Sequence, residues 1–210
     1  MKESYSIISE QFKLIRENID YLSKQDEIKT IVVTSGESGT GKSTVSANLA
    51  VAFAQRGSRT LLIDADLRKP TLHHLFTKEI HVGLSNYIRR DITFTSCIQS
   101  VILEDCEFSI ITSGPIMHNP NDLFTSPKLS AALGQIKESY DIIIIDTPPV
   151  NIVSDALILS KKVDGVLLVV HADKTKKQTA KNAVEKLRMV HANMVGVVVN
   201  GKKNSEGYYY

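Results

Sequence analysis

The chain has 210 residues, 42% of them apolar and 23% charged, and a formal net charge of +2. That length suits one domain and can bury a single core without disulfides, and the near-neutral balance excludes a global field toward nucleic acid, so no nucleic-acid partner is expected. Cys97 and Cys106 form no C-x-x-C pair and the six histidines no H-E-x-x-H set, so a zinc site or a metal-cluster carrier is not expected either.

The first segment, residues 6–22, carries Ile8, Phe12, Ile15 and Ile19 with charged residues between them, the period of an amphipathic helix. Charged residues are scattered through Met1 to Asp20, unlike a secretory leader, and no apolar run approaches the roughly 20 residues of a spanning helix. A soluble chain that reaches a membrane only through a partner is expected. Short Ile- and Val-rich runs follow at Thr30–Val33, Leu61–Ile63, Ile142–Ile145, Gly165–Val170 and Met194–Val199. They do not alternate with polar residues, the mark of strands buried on both faces of a parallel sheet. Helical patterns lie between them at Ser43–Gln55, Leu129–Glu138, Asp155–Lys161 and Thr175–Val190, and Gly57 stands where the first of these should stop. The alternation predicts a doubly wound α/β domain over residues 1–201, a mostly parallel sheet flanked by helices. Residues 67–124 are less regular: Phe108–Ile111 reads as one more strand, and Ser113-Gly114-Pro115 with Asn119-Pro120 as a loop. Residues 202–210 form a polar tail ending in three tyrosines.

Chemistry enters with Gly36-Glu37-Ser38-Gly39-Thr40-Gly41-Lys42-Ser43, followed by Thr44, which fits G-x-x-x-x-G-K-[ST] after a strand and before a helix. A triphosphate needs many donors in a small volume. Glycines let backbone N–H groups turn inward, and the next helix adds its own N-terminal donors. Ser38, Gly39, Thr40, Gly41, Lys42, Ser43 and Thr44 are thus the candidate cradle for ATP. Lys42 supplies a charge to the β and γ phosphates, and the Ser43 hydroxyl a ligand to Mg2+.

Two further runs end in carboxylates: Leu61-Leu62-Ile63-Asp64-Ala65-Asp66-Leu67-Arg68 and Ile142-Ile143-Ile144-Ile145-Asp146-Thr147-Pro148-Pro149. An Asp after a strand can be a simple turn former. In a parallel sheet, however, all strand carboxyl ends share one edge, the edge where the phosphate loop opens. Asp64, Asp66 and Asp146 are therefore expected to converge beside the phosphates. Magnesium takes few carboxylates plus waters, so some should act through water.

Taken together, SGESGTGKST, LLIDADLR and IIIIDTPP resemble the Walker A, second Walker and Walker B motifs of the bacterial tyrosine kinase family, a P-loop NTPase fold. The resemblance extends to Arg68-Lys69-Pro70-Thr71, the loop at Ser113-Gly114-Pro115 and the terminal tyrosines. It implies ATP- and Mg2+-dependent phosphorylation of Tyr208, Tyr209 and Tyr210, with Lys42, Asp64, Asp66 and Asp146 as the catalytic set. Asp64 would be the base toward the tyrosine hydroxyl. Ser43, Asp64 and Asp146 would hold the metal, and Asp66 and Asp146 would order it and its waters. Asn200, at the end of the last run, is either an adenine contact, as in related proteins, or a strand-end turn residue. The family further implies activation by the cytoplasmic tail of a membrane adaptor, a ring-shaped homo-oligomer phosphorylated in trans, a cognate tyrosine phosphatase, recruitment to the inner face of the membrane, and a role in capsule or exopolysaccharide synthesis. The ring contact motif E-x-x-R-x-x-R reads Glu10, Lys13, Arg16 here, and the lysine lacks a planar bidentate fork. A partitioning- or division-type switch ATPase is the competing reading. Glu37 stands where those proteins carry an extra lysine, and they lack a tyrosine-rich end.

Overall fold

The computed structural model describes residues 7–89, 92–117 and 120–202. Along the chain the elements are α1 (Ile7–Asp26), β1 (Thr30–Ser35), α2 (Lys42–Gln55), β2 (Thr60–Asp64), α3 (Leu72–Leu75), α4 (Leu84–Arg89), β3 (Ile98–Ile102), β4 (Glu107–Ile111), α5 (Asn121–Thr125), α6 (Pro127–Ile136), β5 (Ile142–Asp146), α7 (Asp155–Ser160), β6 (Gly165–His171), α8 (Lys177–Met189) and β7 (Met194–Asn200). The strands make one sheet in the order β3-β4-β2-β5-β1-β6-β7, parallel throughout except between β3 and β4.

Successive strand residues point to opposite faces, and both faces of the central strands are apolar. Ile31, Val33, Leu62, Ile142 and Ile144 lie in one core with Ile19 of α1 and Val45, Leu49 and Phe53 of α2. Val32, Leu61, Ile63, Ile143 and Ile145 lie in the other with Leu129 and Leu133 of α6, Leu159 of α7 and Leu187 of α8. This two-sided burial is why these runs show no polar alternation. The α1 helix continues to Asp26, past the predicted end. Its Phe12, Ile15, Ile19 and Leu22 pack toward the core, whereas Ile8 is exposed. Arg16 ties it to α2 by donating to the Ala52 carbonyl at 3.1 Å. Lys13 pairs with Glu10 at 2.7 Å. Gly57 closes α2 with φ +87 and its N–H on the Ala54 carbonyl at 2.8 Å.

Two expectations change. The last run, β7, is an edge strand with a solvent face: Val197 and Val199 are 52% and 55% exposed. An edge position, not composition, decides that. Second, the irregular stretch contains α3, α4 and α5, which are short and leave little periodicity to read, and the antiparallel strand β3, an edge strand with polar residues and little burial. Among the described residues, no helix is long and apolar enough to cross a membrane. The three terminal tyrosines lie outside the described residues.

The β5 strand sits between β1 and β2, with Val33 opposite Asp146 and Asp64 opposite Asp146. The carboxyl ends of the three strands therefore stand side by side along one edge of the sheet. The loop from β1 into α2 opens on that edge.

Candidate active site

Backbone conformation builds the loop. Gly39 and Gly41 have φ +76 and +83, the left-handed region that residues with a Cβ enter only with strain. A Cβ on Gly41 would also lie 2.1 Å from Asn200 Nδ2. That amide donates to the Thr40 carbonyl at 2.9 Å, so the end of β7 holds the loop from outside. Asn200 thus has a structural role that neither reading of the sequence contained. Gly41 is the residue ahead of α2, whose N-terminus carries no side-chain cap and no acid in its first turn. The helix N-terminus, with Lys42 and Ser43 as its first residues, is left for an external anion.

Lys42 is the hub. Its Nζ lies 3.1 Å from Asp66 Oδ2, 3.3 Å from Asp146 Oδ2 and 3.2 Å from Ser43 Oγ. Burial works to lower its pKa, but the charges of Asp146 and Asp66 outweigh this and hold the ammonium above its usual range. Asp146 is fully buried. Its Oδ2 accepts from Ser43 Oγ at 2.6 Å and its Oδ1 from Ser46 Oγ at 3.0 Å. Burial raises the Asp146 carboxyl; Lys42 and the two hydroxyls oppose that. Ser46 escaped the sequence reading, although it lies three residues after Ser43 and so shares its helix face.

Asp64 and Asp66 do different things. Asp64 is fully buried, and its carboxylate accepts three backbone bonds, from Asp66, Thr71 and Leu72, at 3.1, 3.2 and 3.1 Å. Burial, then the neighbouring Asp146 charge, push its pKa up to about 7. Asp66 Oδ1 accepts from the Lys69 amide at 3.0 Å, and the side chain lines the cleft.

That cleft measures about 600 Å³. Its floor is Ser38, Gly39, Gly41, Lys42, Ser43 and Thr44. One wall holds Asp66, Arg68, Lys69, His74 and Leu75; the other holds Pro148, Pro149, Ile152 and Val153. The second wall is apolar and is held to the loop strand by Thr34 Oγ1 donating to the Pro148 carbonyl at 3.0 Å and the Val150 amide to the Ser35 carbonyl at 2.8 Å. The motifs named Asp66, Arg68, Lys69, Pro148 and Pro149 of these walls; His74, Leu75, Ile152 and Val153 join them only in the fold.

The residues present fit a magnesium nucleotide. The left-handed glycines, the uncapped helix N-terminus and Lys42 suit a phosphate chain. The Ser43 hydroxyl and Asp146 carboxylate are hard oxygen donors in contact with each other, the sparse set that Mg2+ takes alongside waters and phosphates. Among the described residues, no cluster of three or more His, Cys, Asp and Glu side chains forms a closed metal site. All the predicted loop residues, the three aspartates and Asn200 are brought together at this edge.

The family model described as an AAA domain matches residues 28–200. Tyrosine-protein kinase YwqD of Bacillus subtilis is 41% identical over 213 residues, covering 100% of this chain and 89% of that protein. Putative tyrosine-protein kinase CapB of Staphylococcus aureus is 40% identical over 208 residues, covering 98% and 90%. The crystal structure of the chimerical protein CapA2B2 superposes with a TM-score of 0.89 at 40% identity, covering 96% of this chain and 88% of that one.

Proposed function

The chain belongs to the bacterial tyrosine-protein kinase family, and from that premise we propose that it transfers the γ-phosphoryl group of ATP to tyrosines in trans, first to Tyr208, Tyr209 and Tyr210 of a neighbouring copy. The observation that carries this reading is Lys42 suspended between Asp66 and Asp146, with Ser43 bonded to the latter. Lys42 would turn its ammonium to the β and γ phosphates of a bound nucleotide, and the loop amides would donate to the phosphate chain. Ser43 and Asp146 would hold Mg2+, and Asp64 stands opposite Asp146 in the neighbouring strand. The metal supplies positive charge against the phosphate oxygens.

In the transfer, the tyrosine oxygen bonds to the γ-phosphorus. The bond from that phosphorus to the bridging oxygen breaks, its electron pair leaving with ADP. The phenolic proton passes to a carboxylate. Asp64 is the assigned acceptor, supported by a pKa of about 7, which suits a base at neutral pH. Its burial requires that the Thr71 and Leu72 amides release it. Asp66 is the second candidate, because it already lines the cleft. Most of the rate enhancement comes from positioning and charge.

The remaining parts of the proposal rest on the family relationship. A membrane adaptor tail activates the chain and recruits it to the inner face of the membrane, copies assemble into a ring, a tyrosine phosphatase reverses the modification, and the cycle regulates capsule or exopolysaccharide synthesis. Each added phosphate brings about −1.5 to −2 charges and disfavours re-entry of the tail into the site.

The test is incubation with labelled ATP and Mg2+, followed by mapping of phosphate by mass spectrometry. Label on the terminal tyrosines, lost in Lys42→Met, is expected; release of free phosphate with unmodified tyrosines would instead make this a switch ATPase. Asp64→Asn and Asp66→Asn, compared in the same assay, separate the two candidates for the base.

A further inference from the structure

The cleft holds an imbalance of charge. Lys42 is paired directly with both Asp66 and Asp146, so its positive charge is largely spent within the protein. Transfer of a phosphoryl group gathers negative charge on equatorial oxygens, and a second fixed cation is the recurrent answer to it. Arg68 and Lys69 are the other cations of the cleft wall. They differ in support. Lys69 is exposed, whereas Arg68 is half-buried and its Nε lies 3.4 Å from Oδ2 of Asp155.

Asp155 belongs to none of the motifs. It opens α7, two residues after Val153 of the apolar wall, and its side chain is fully buried. Its Oδ1 is buried without a hydrogen-bond partner among the described residues. Such a carboxylate is a poor device for stability, because desolvation offsets most of the pairing energy. It is a good device for orientation. Nε is the inner nitrogen of the guanidinium, and a contact there sets the plane of the whole fork, which a lysine cannot reproduce. The pairing also ties the segment after β2 to the start of α7.

We propose that Asp155 is a positioning residue that holds the Arg68 guanidinium in the cleft, where it stabilises the charge on the transferring phosphoryl group. This deepens the phosphoryl-transfer reading above and rests on it. Arg68 is the catalytic residue of the pair; Asp155 acts through it.

The test uses the full chain, Mg2+, and ADP with or without aluminium fluoride, a mimic of the phosphoryl group in flight. The wild-type chain should bind ADP more tightly with the fluoride by at least on the order of a hundred-fold. Asp155→Asn should leave plain ADP affinity and melting temperature near wild type but remove most of that gain, with a fall in kcat of about a hundred-fold. Arg68→Gln should remove the gain, with a fall in kcat of about a thousand-fold. The double variant should be no worse than Arg68→Gln, since both act through one group. Additive losses in the double variant, or equal losses of ADP affinity, stability and fluoride gain in Asp155→Asn, would show a structural role and overturn the proposal. Should Asp155→Asn not fold, Arg68→Lys carries the test: a shortfall in kcat of on the order of ten-fold is expected, and parity with wild type overturns the idea. Failure of the underlying reading looks different, because the wild-type chain itself then shows neither fluoride gain nor labelled tyrosine.

Discussion

Ile142–Ile145 and Val197–Val199 are equally apolar on paper, yet they meet different surroundings. The first lies in β5, the central strand of the seven, with β1 on one side and β2 on the other, and all of its residues are buried. The second lies in β7, at the edge, and shows Val197 and Val199 to solvent. The residues that end these strands differ in the same way. Asp146 closes β5 fully buried, so its charge is costly and must be matched by Lys42, Ser43 and Ser46. Asn200 closes β7 half-buried and acts through one neutral hydrogen bond to the loop. Charge chemistry is built where the sheet excludes water, and adjustable support where it does not.

The sharpest way to break this comparison is to remove volume from each strand. Ile144→Ala in β5 should lower unfolding free energy by about 4 kcal/mol in chemical denaturation, because a fully buried side chain leaves a cavity. A cost near that of a surface change would show the centre of the sheet to be less tightly packed than described.

The next test is acid–base. The Asp64 carboxyl titrates at about 7 in the folded chain against 3.8 ordinarily. Between those values the folded chain keeps a proton that the unfolded chain has lost. The contribution is therefore complete below the unfolded value and disappears as pH rises through about 7. Without nucleotide, the melting temperature of the wild-type chain should fall from pH 4 to pH 7.5 more steeply than that of Asp64→Asn. Parallel curves would place Asp64 in a more hydrated setting.

At the join of the two regions, Gly41→Ala puts a Cβ against Asn200 Nδ2 in a left-handed backbone. It should lower stability by about 2 kcal/mol and weaken ADP binding measured by calorimetry. Unchanged ADP affinity would mean that the loop does not need the edge strand. The smallest effect is expected at the edge itself: Val197→Ser should stay within about 0.5 kcal/mol of wild type. A larger loss would reveal a contact over that face.

The main architecture was legible because two-sided strands and amphipathic helices write distinct periods into a chain. The runs at Thr30, Leu61, Ile142, Gly165 and Met194 each became a strand, and the helices fell between them. The short helices α3 to α5 were not legible, since four to six residues hardly complete a helical period, and β3 was not because an edge strand in which Val101 alone is buried lacks the apolar run of the central strands. The loop lysine and the aspartates could be named from their spacing after strands. Ser46, Asp155 and the Ile152 and Val153 part of the apolar wall could not, because each acquires its meaning from a neighbour distant in the chain.

The sequence by itself determined that a phosphate loop and three aspartates would lie on one edge, since parallel strands all end there. Only tertiary structure decided which aspartate is sealed and which lines the cleft. Asp64 and Asp66 are two residues apart and chemically identical. Register beside Asp146 and three backbone amides enclose the first, while contact with Lys42 keeps the second at the cleft surface. Burial and charge pairing are properties of what surrounds a group, and pattern along a chain does not carry them.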